Sequence, residues 1–531
     1  MKSAAPHEKL NTRAAGIIGL AVMCSRVLGL IREQIFAYLF GAGRLMDAFN
    51  AAFRIPNLLR DLFAEGALST AFVTTFSKTA LNEGEQGAWQ LANKVVTLAA
   101  IALSVLTLLG IWFAPGIVAV LAPGFDADKA QLTISLTRIM FPFILLVSLA
   151  ALVMGMLNAR NVFGMPAMAS SFFNLGSIVG GVVLGYWMDP EFGPRALTGL
   201  AIGTLIGGAL QLGVQIPSLW KLGYRFKANF HWRDSGVKTV LLLMGPSVIA
   251  ASTTQINVMV NTFFASYLVD GSISWLNIAF RLMQLPLGLF GVAIGTVSLP
   301  LLARLAAGNN TDGFRTELAR SLRLGLLLTI PATIGLMILA EPIISVLYQH
   351  GKFGAMETAQ AAGALRFYAV GLCGYAALKV LVNAFYAVDK RRTPMLISFV
   401  AVILNLLLNW LFTFRLGWGH RGLAFSTGCI ATINFLILYW LMRRHLHGLD
   451  SRTMFALLGK LLLSGAVLCA ICWAGQHWLL MQWATMPFLP KLAALLATIS
   501  VAGAAFFACA YALRIPEMES LVAAVKRRLS R

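Results

Sequence analysis

Acidic residues are scarce in this chain. Among 531 residues there are 21 Asp and Glu against 42 Lys and Arg, and charges of both signs make up only 12%. Soluble domains run about 25% charged, so a soluble globular protein is excluded. Long polar stretches are missing as well, which leaves no room for a separate soluble domain. No Gly-x-x-x-x-Gly-Lys-Ser/Thr phosphate loop occurs, so ATP is not a direct energy source. The seven histidines (7, 231, 350, 420, 445, 447 and 477) are scattered without ligand spacing, and Asp126-x-Asp128 stands alone. Acid–base or metal chemistry needs such groups clustered. An enzyme is therefore not expected, nor a metal or other cofactor. The six cysteines all fall in apolar runs, and Cys469-x-x-Cys472 reads as a pair of buried thiols. The first apolar run is too long for a cleavable leader and contains Arg26, so no leader is expected.

What the chain has is apolar length. It is 58% hydrophobic, with a mean hydropathy of +0.77. About fourteen apolar runs recur, near 14–40, 46–76, 93–122, 130–158, 164–187, 196–220, 236–268, 272–306, 318–348, 358–388, 393–416, 420–442, 453–480 and 489–514. Each can cross a ~30 Å hydrocarbon core. The fold class expected is an all-α polytopic membrane protein of about 14 transmembrane helices. The net charge of +21 is distributed by topology and does not point to nucleic acid. With a cytoplasmic N-terminus, about 26 cations fall on the inner side and about seven on the outer: Arg44, Lys129, Arg195, Lys352, Arg415, Arg421 and Lys491. That asymmetry predicts a cytoplasmic (inner) membrane protein with both termini inside.

An internal repeat is visible. Ala52-Phe53-Arg54 recurs as Ala279-Phe280-Arg281, Ile117 to Leu121 as Ile343 to Leu347, and Asn158-Ala159 as Asn383-Ala384. Six spans separate the copies, so both have the same orientation, as in transporters that hold substrate between two pseudo-symmetric lobes. The expected division is an N-lobe (1–220), a basic inter-lobe loop (221–238), a C-lobe (239–446), two further spans (447–514) and an amphipathic basic cytoplasmic tail (515–531). The inter-lobe loop reads as a topology determinant in contact with anionic lipid, or as a regulatory or substrate-gating element.

The arginines carry the functional signal. Arg26 and Arg32 lie in the first apolar run, Arg54 and Arg60 in the second. A guanidinium at membrane depth costs at least ~2.5 kcal/mol on insertion scales and stays charged at any physiological pH. Such residues point to a hydrated cationic cavity and an anionic substrate. Members of each pair are six apart, about 240° on a straight helix, so a break at Gly29 or Pro56 is expected to let both reach one cavity. With Arg281, three arginines from spans 1, 2 and 8 can clamp a pyrophosphate by two-pronged bonds. The other reading pairs each arginine with an acid: Glu33, Asp47, Asp61 and Glu65 are at hand. In span 11, Asn405 and Asn409 suit either a cation site or helix–helix hydrogen bonds.

Ser25-Arg26-Val27-Leu28-Gly29, Phe40-Gly41-Ala42-Gly43, Asp47-Ala48-Phe49, Pro56-Asn57-Leu58-Leu59-Arg60 and Phe63-Ala64-Glu65-Gly66-Ala67, at their spacing, resemble the MurJ (MviN) family. These are lipid II flippases of the multidrug/oligosaccharidyl-lipid/polysaccharide exporter superfamily. Ser274-Trp275, Arg281-Leu282-Met283 and the fourteen-span layout extend the resemblance over essentially the whole chain. It implies translocation of undecaprenyl-pyrophosphate-linked peptidoglycan precursor from inner to outer leaflet by alternating access. It also implies Arg26, Arg32, Asp47, Arg60, Glu65 and Arg281 as substrate-binding residues, and a lipid-tail groove at 447–514. Partners implied are lipid II and membrane lipids, with cell-wall synthesis or division proteins open. The alternatives are export of another polyprenyl-linked glycan or cation-coupled drug export. Three departures stand out: Phe280 where an acid often precedes the span-8 arginine, Thr74 where proline is common, and asparagine in span 11 where some relatives use a carboxylate for sodium. A coupling cation is thus left unidentified.

Overall fold

The computed structural model describes residues 12–62, 68–481 and 483–529, and every regular element among them is helical. The first helices are α1 (Thr12–Phe40), α2 (Arg44–Leu59), α3 (Leu68–Trp112), α4 (Ala114–Leu121), α5 (Ala127–Met140), α6 (Phe143–Ala159), α7 (Gly164–Met188), α8 (Ala196–Gly213) and α9 (Ile216–Lys221). Then come α10 (Ser235–Ser266), α11 (Ser272–Pro286), α12 (Ala293–Ala307), α13 (Thr311–Ile338), α14 (Ala340–Tyr348), α15 (Ala355–Val370), α16 (Leu372–Ala387), α17 (Arg392–Trp410) and α18 (Gly419–His445). The last are α19 (Ser451–Trp478), α20 (Phe488–Ala512) and α21 (Pro516–Leu529). Among the described residues ten helical segments are long and apolar enough to cross a membrane, or eleven with α15 and α16 counted as one bent span. The sequence expectation of about fourteen adds α1, α2 and α10 to these. α3 is 45 residues long, and its backbone leaves helical geometry at Gly84 (φ 78°). That glycine divides it into two arms, because a left-handed φ costs glycine little.

The starts of helices follow local chemistry. Asp126 accepts the Lys129 N–H at the head of α5, Asn310 the Gly313 N–H at α13, and Asp450 the Thr453 N–H at α19. Each supplies an acceptor to a first-turn donor that has no partner within the helix.

The chain divides into two compact units. One runs to Phe40 and then from Arg44 to Met259; the other holds Gly41–Gly43 and everything from Val260. The division falls inside α10, later than the 221–238 boundary read from the sequence.

In the first unit α7 and α8 cross at backbone contact. A Cβ at Gly203 would come 2.2 Å from the Gly181 nitrogen, and one at Gly199 2.4 Å from the Gly185 nitrogen. Glycine on both faces is what permits that approach in lipid. Phe36, Phe49, Leu136, Met140 and Leu197 form a core joining α1, α2, α5 and α8, while Phe72, Phe76, Leu91 and Met156 form another around α3 and α6.

In the second unit one continuous core runs from α12 to α20, with Leu327, Leu381, Leu461 and Phe506 fully buried. α19 packs on α13 at Gly465, where a Cβ would come 2.7 Å from Ile334 Cδ1. The tail helix α21 is docked too: Glu517, almost wholly buried, pairs with Arg323 of α13 at 2.5 Å. Its first turn is therefore held by protein. Cys469 is exposed and Cys472 buried, and the two are not bridged, so only one of the pair is the buried thiol expected.

The internal repeat extends to helix geometry. An offset of 226 carries Ala114, the start of α4, onto Ala340, the start of α14. α2 runs into a π-helical turn at Arg60–Leu62, and α11 runs into a π segment, Leu287–Val292. The offset of 227 that aligns Arg54 with Arg281 carries Arg60 onto Leu287, the first residue of that segment.

Candidate functional site

The arginines of the first unit are positioned by α1 and α2. α1 is helical throughout, so the break expected at Gly29 does not occur. Gly29 instead faces α7: a Cβ there would lie 3.6 Å from Asn174 Nδ2, and that amide donates to the Ser25 carbonyl at 3.1 Å. The glycine serves a helix crossing. An unbroken helix leaves Arg26 and Arg32 about 240° apart. Arg26 is exposed, while Arg32 is half-buried with its guanidinium 5.1 Å from the centre of the Phe173 ring on α7. That placement over an aromatic face stabilises a cation by ~0.5–2 kcal/mol.

In α2 the loosening comes after Pro56 and not at it. The helix continues through the proline, which is buried, and widens into the π turn that begins at Arg60. A π turn of this kind re-aims a side chain without ending the helix. Arg60 donates from Nη2 to Asp61 Oδ1 at 2.7 Å and from Nε at 3.1 Å. The other oxygen of Asp61 accepts from Gln255 Nε2 of α10 at 3.1 Å. Both charged side chains are about a quarter exposed, so they meet solvent or ligand as well as each other. Arg54 is half-buried between these pairs in sequence. Glu65 lies outside the described residues.

Asp47 lies in the protein interior. It is 1% exposed, and its carboxylate sits 3.2 Å from the ammonium of Lys129 on α5, itself 3% exposed. The Lys129 ammonium also lies 4.1 Å from the centre of the Phe125 ring. In this structure Asp47 faces protein and no open surface. One turn before it, Arg44 makes a two-pronged contact to Asp126, with Nη1 to Oδ2 at 2.6 Å. The two pairs share a sequence separation of 82 with their signs reversed, and together they fix the head of α2 to the head of α5. The Asp126 carboxyl is held well below the usual carboxylate range by the Arg44 hydrogen bond first and the Lys129 backbone N–H second.

The sequence reading counts Lys129 and Lys491 only as outer-side cations and gives neither a partner. Lys491 is 6% exposed and donates to Ser345 Oγ at 2.9 Å. The signal for Lys129 was available: an acid in an apolar run demands a cation, and Asp47 and Lys129 repeat the spacing of Arg44 and Asp126.

In the second unit Arg281 is exposed on α11. Asn409 of α17 is engaged in helix–helix bonds. Asn409 donates to Asn261 Oδ1 of α10 at 2.9 Å, Asn261 donates to Thr427 Oγ1 of α18 at 3.1 Å, and Ser426 donates to Asn409. This hub joins three helices and is made of neutral groups. Among the described residues no cluster of three or more His, Cys, Asp or Glu could hold a metal ion.

A family model described as "Lipid II flippase MurJ" matches residues 36–494. The chain is 36% identical over 427 residues to a probable lipid II flippase MurJ of Buchnera aphidicola subsp. Acyrthosiphon pisum, covering 79% of this chain and 81% of that one. It is 37% identical over 429 residues to the lipid II flippase MurJ of Burkholderia cenocepacia, covering 80% and 82%. Among solved structures, a lipid II flippase MurJ in an inward closed conformation superposes with TM-score 0.73 at 25% identity, over 92% of this chain and 98% of that one. An inward-facing multidrug resistance MATE family transporter of the MOP superfamily gives 0.66 at 14% identity, over 82% and 98%, which is a likeness of fold alone.

Proposed function

This chain belongs to the lipid II flippase MurJ family, and we propose that it carries lipid II from the inner to the outer leaflet of the cytoplasmic membrane by alternating access. No bond of the substrate is made or broken. The observation that carries this reading is a family match over residues 36–494 in a helical membrane chain with Arg26 and Arg32 on α1, Arg54 on α2 and Arg60 on the π turn that follows it. A pyrophosphate-linked, carboxylate-bearing head group is anionic, and planar guanidinium groups recognise it by paired bonds.

In this proposal Arg26, Arg32, Arg60 and Arg281 contact the head group, joined by Glu65. Asp47 acts through Lys129 by holding α2 in place. The N-lobe spans 1–220, the basic inter-lobe loop 221–238 and the C-lobe 239–446. The lipid tail runs along 447–514, and the basic tail 515–531 lies with the N-terminus in the cytoplasm. The exposed positions of Arg26 and Arg281 support ligand contact.

The test is depletion of the protein in cells that depend on it, followed by identification of the lipid-linked precursor that accumulates. Lipid II confined to the inner leaflet is the expected result. Accumulation of a different polyprenyl-linked glycan, with lipid II still reaching the outer leaflet, would overturn the assignment.

A further inference from the structure

Between α9 and α10 the chain runs without helix from Leu222 to Asp234, yet it is tied down along one face of α3. The Lys227 N–H donates to Asn93 Oδ1 at 3.1 Å, the Asn229 N–H to Thr97 Oγ1 at 3.0 Å, and Lys94 Nζ meets Asp234 Oδ2 at 2.5 Å. Tyr224 is buried against Trp89, their ring centres 5.2 Å apart. The backbone of this strap is therefore fixed by side chains one to four residues apart on α3.

The remaining side chains point outward in an unusual pattern. Phe230 is 64% exposed and Trp232 61%, with Phe226 half exposed a turn earlier. Cations alternate with them: Arg225, Lys227 and Arg233 are all exposed, and Lys221 and Lys238 flank the strap. The Arg233 guanidinium lies 4.8 Å from the centre of the Trp232 ring, and that of Arg225 5.6 Å from the Trp220 ring. The one acid in the segment, Asp234, is engaged by Lys94. A cavity of about 490 Å³ opens here, lined by Gln90, Lys94 and residues 229–234.

A loop serving only to set topology needs its positive charge and nothing else. It needs neither exposed rings nor backbone ties. Rings half in water beside cations fit the membrane interface, where the ring enters the head-group layer and the cation meets a phosphate. We propose that the strap from Lys221 to Lys238 is a binding site for anionic phospholipid head groups of the membrane, presented in a fixed conformation by α3. Phosphates seat at Arg225, Lys227 and Arg233, and Phe230 and Trp232 enter the interface beside them. This lipid is a resident of the bilayer and distinct from the transported one, so the site does not depend on the proposed transport function.

The full chain in nanodiscs tests it by amide hydrogen exchange across residues 222–234. In discs containing phosphatidylglycerol, amides other than those of Lys227 and Asn229 should exchange at least about fivefold more slowly than in phosphatidylcholine discs, given the attraction of each interfacial cation to anionic lipid. High salt should erase the difference. Replacing Arg225, Lys227 and Arg233 together by glutamine should erase it, while replacing the two arginines by lysine should retain it. Exchange within α3 and α10 reports whether each variant is folded. Equal exchange of the unaltered protein in both lipids would overturn the proposal. So would the same protection appearing in phosphatidylcholine discs on adding inorganic phosphate, which would mark a site for soluble anions.

Discussion

Asp47 of α2 and Lys129 of α5 form an ion pair at 3.2 Å with both side chains almost wholly removed from solvent. Two charges so placed are hard to separate. Removing one partner strands the other in a low-dielectric site at a cost of ~3–5 kcal/mol. Asp47→Asn or Lys129→Met alone should therefore lower membrane abundance and thermal stability in detergent. The double variant should recover most of both, because no charge is then left buried. Transport per folded molecule should survive in the double variant if, as proposed, Asp47 acts through α2 by holding it against Lys129. A double variant as unstable as the singles would contradict the pairing.

Much of the fold could be read from the chain because lipid enforces a simple rule: backbone groups must pair within the segment, so apolar length means helix. The repeat could be read for the same reason, since Ala52 to Arg54 and Ala279 to Arg281 lie in matching helix–π units. The break at Gly29 was read wrongly. A glycine between two arginines suits an unwound turn and a close crossing equally well, and only the position of Asn174 on α7, 149 residues on from the Ser25 carbonyl it bonds, separates the two. A charge-count map gives Lys129 a side of the membrane but no partner, because its acid lies on another helix. The Arg60–Asp61 pair could be seen as adjacent residues. The role of Gln255 could not, since nothing near it in sequence announces α2.

The Asn409 hub bears on energy coupling. Its groups are amides and hydroxyls, which offer no fixed negative charge to a small cation. Exchanging sodium for potassium should leave transport unchanged, while collapsing the membrane potential should slow it. One charge moved through 100 mV is worth ~2.3 kcal/mol, enough to bias a rocking equilibrium about fiftyfold. Asn409→Leu should destabilise the protein by ~1–3 kcal/mol, because Asn261 and Ser426 lose a buried partner. Transport that required sodium at constant potential would count against the neutral-hub reading.

Acid should test the Arg44–Asp126 contact. The folded carboxyl lies below its ordinary value of 3.8, chiefly through the Arg44 hydrogen bond. A lowered folded value means the contribution is complete above the unfolded value and fades as pH falls toward the folded one. The stability gap between the protein and its Asp126→Asn variant should thus be constant above about pH 5. It should narrow below 3.8. Both side chains are well exposed, so the gap should be small and should shrink in salt. Thermal melting at stepped pH in detergent measures it, and a gap that widens in acid would refute the pair.

The central claim is that arginines at 26, 60 and 281 hold an anionic lipid head group during translocation. Purified protein in sealed vesicles, supplied with lipid II on one face and assayed for its appearance on the other, tests that directly. Arg26→Ala, Arg60→Ala and Arg281→Ala should each insert normally and each lose translocation by about tenfold or more, the loss of a charge-assisted contact being ~1.5–3 kcal/mol. Lysine should restore only part, as a point charge cannot make the planar contact. Adding Asp61→Asn to Arg60→Ala should not restore transport, because the arginine is needed by the substrate and not by its neighbour. Normal translocation by all three alanine variants at normal abundance would contradict the account.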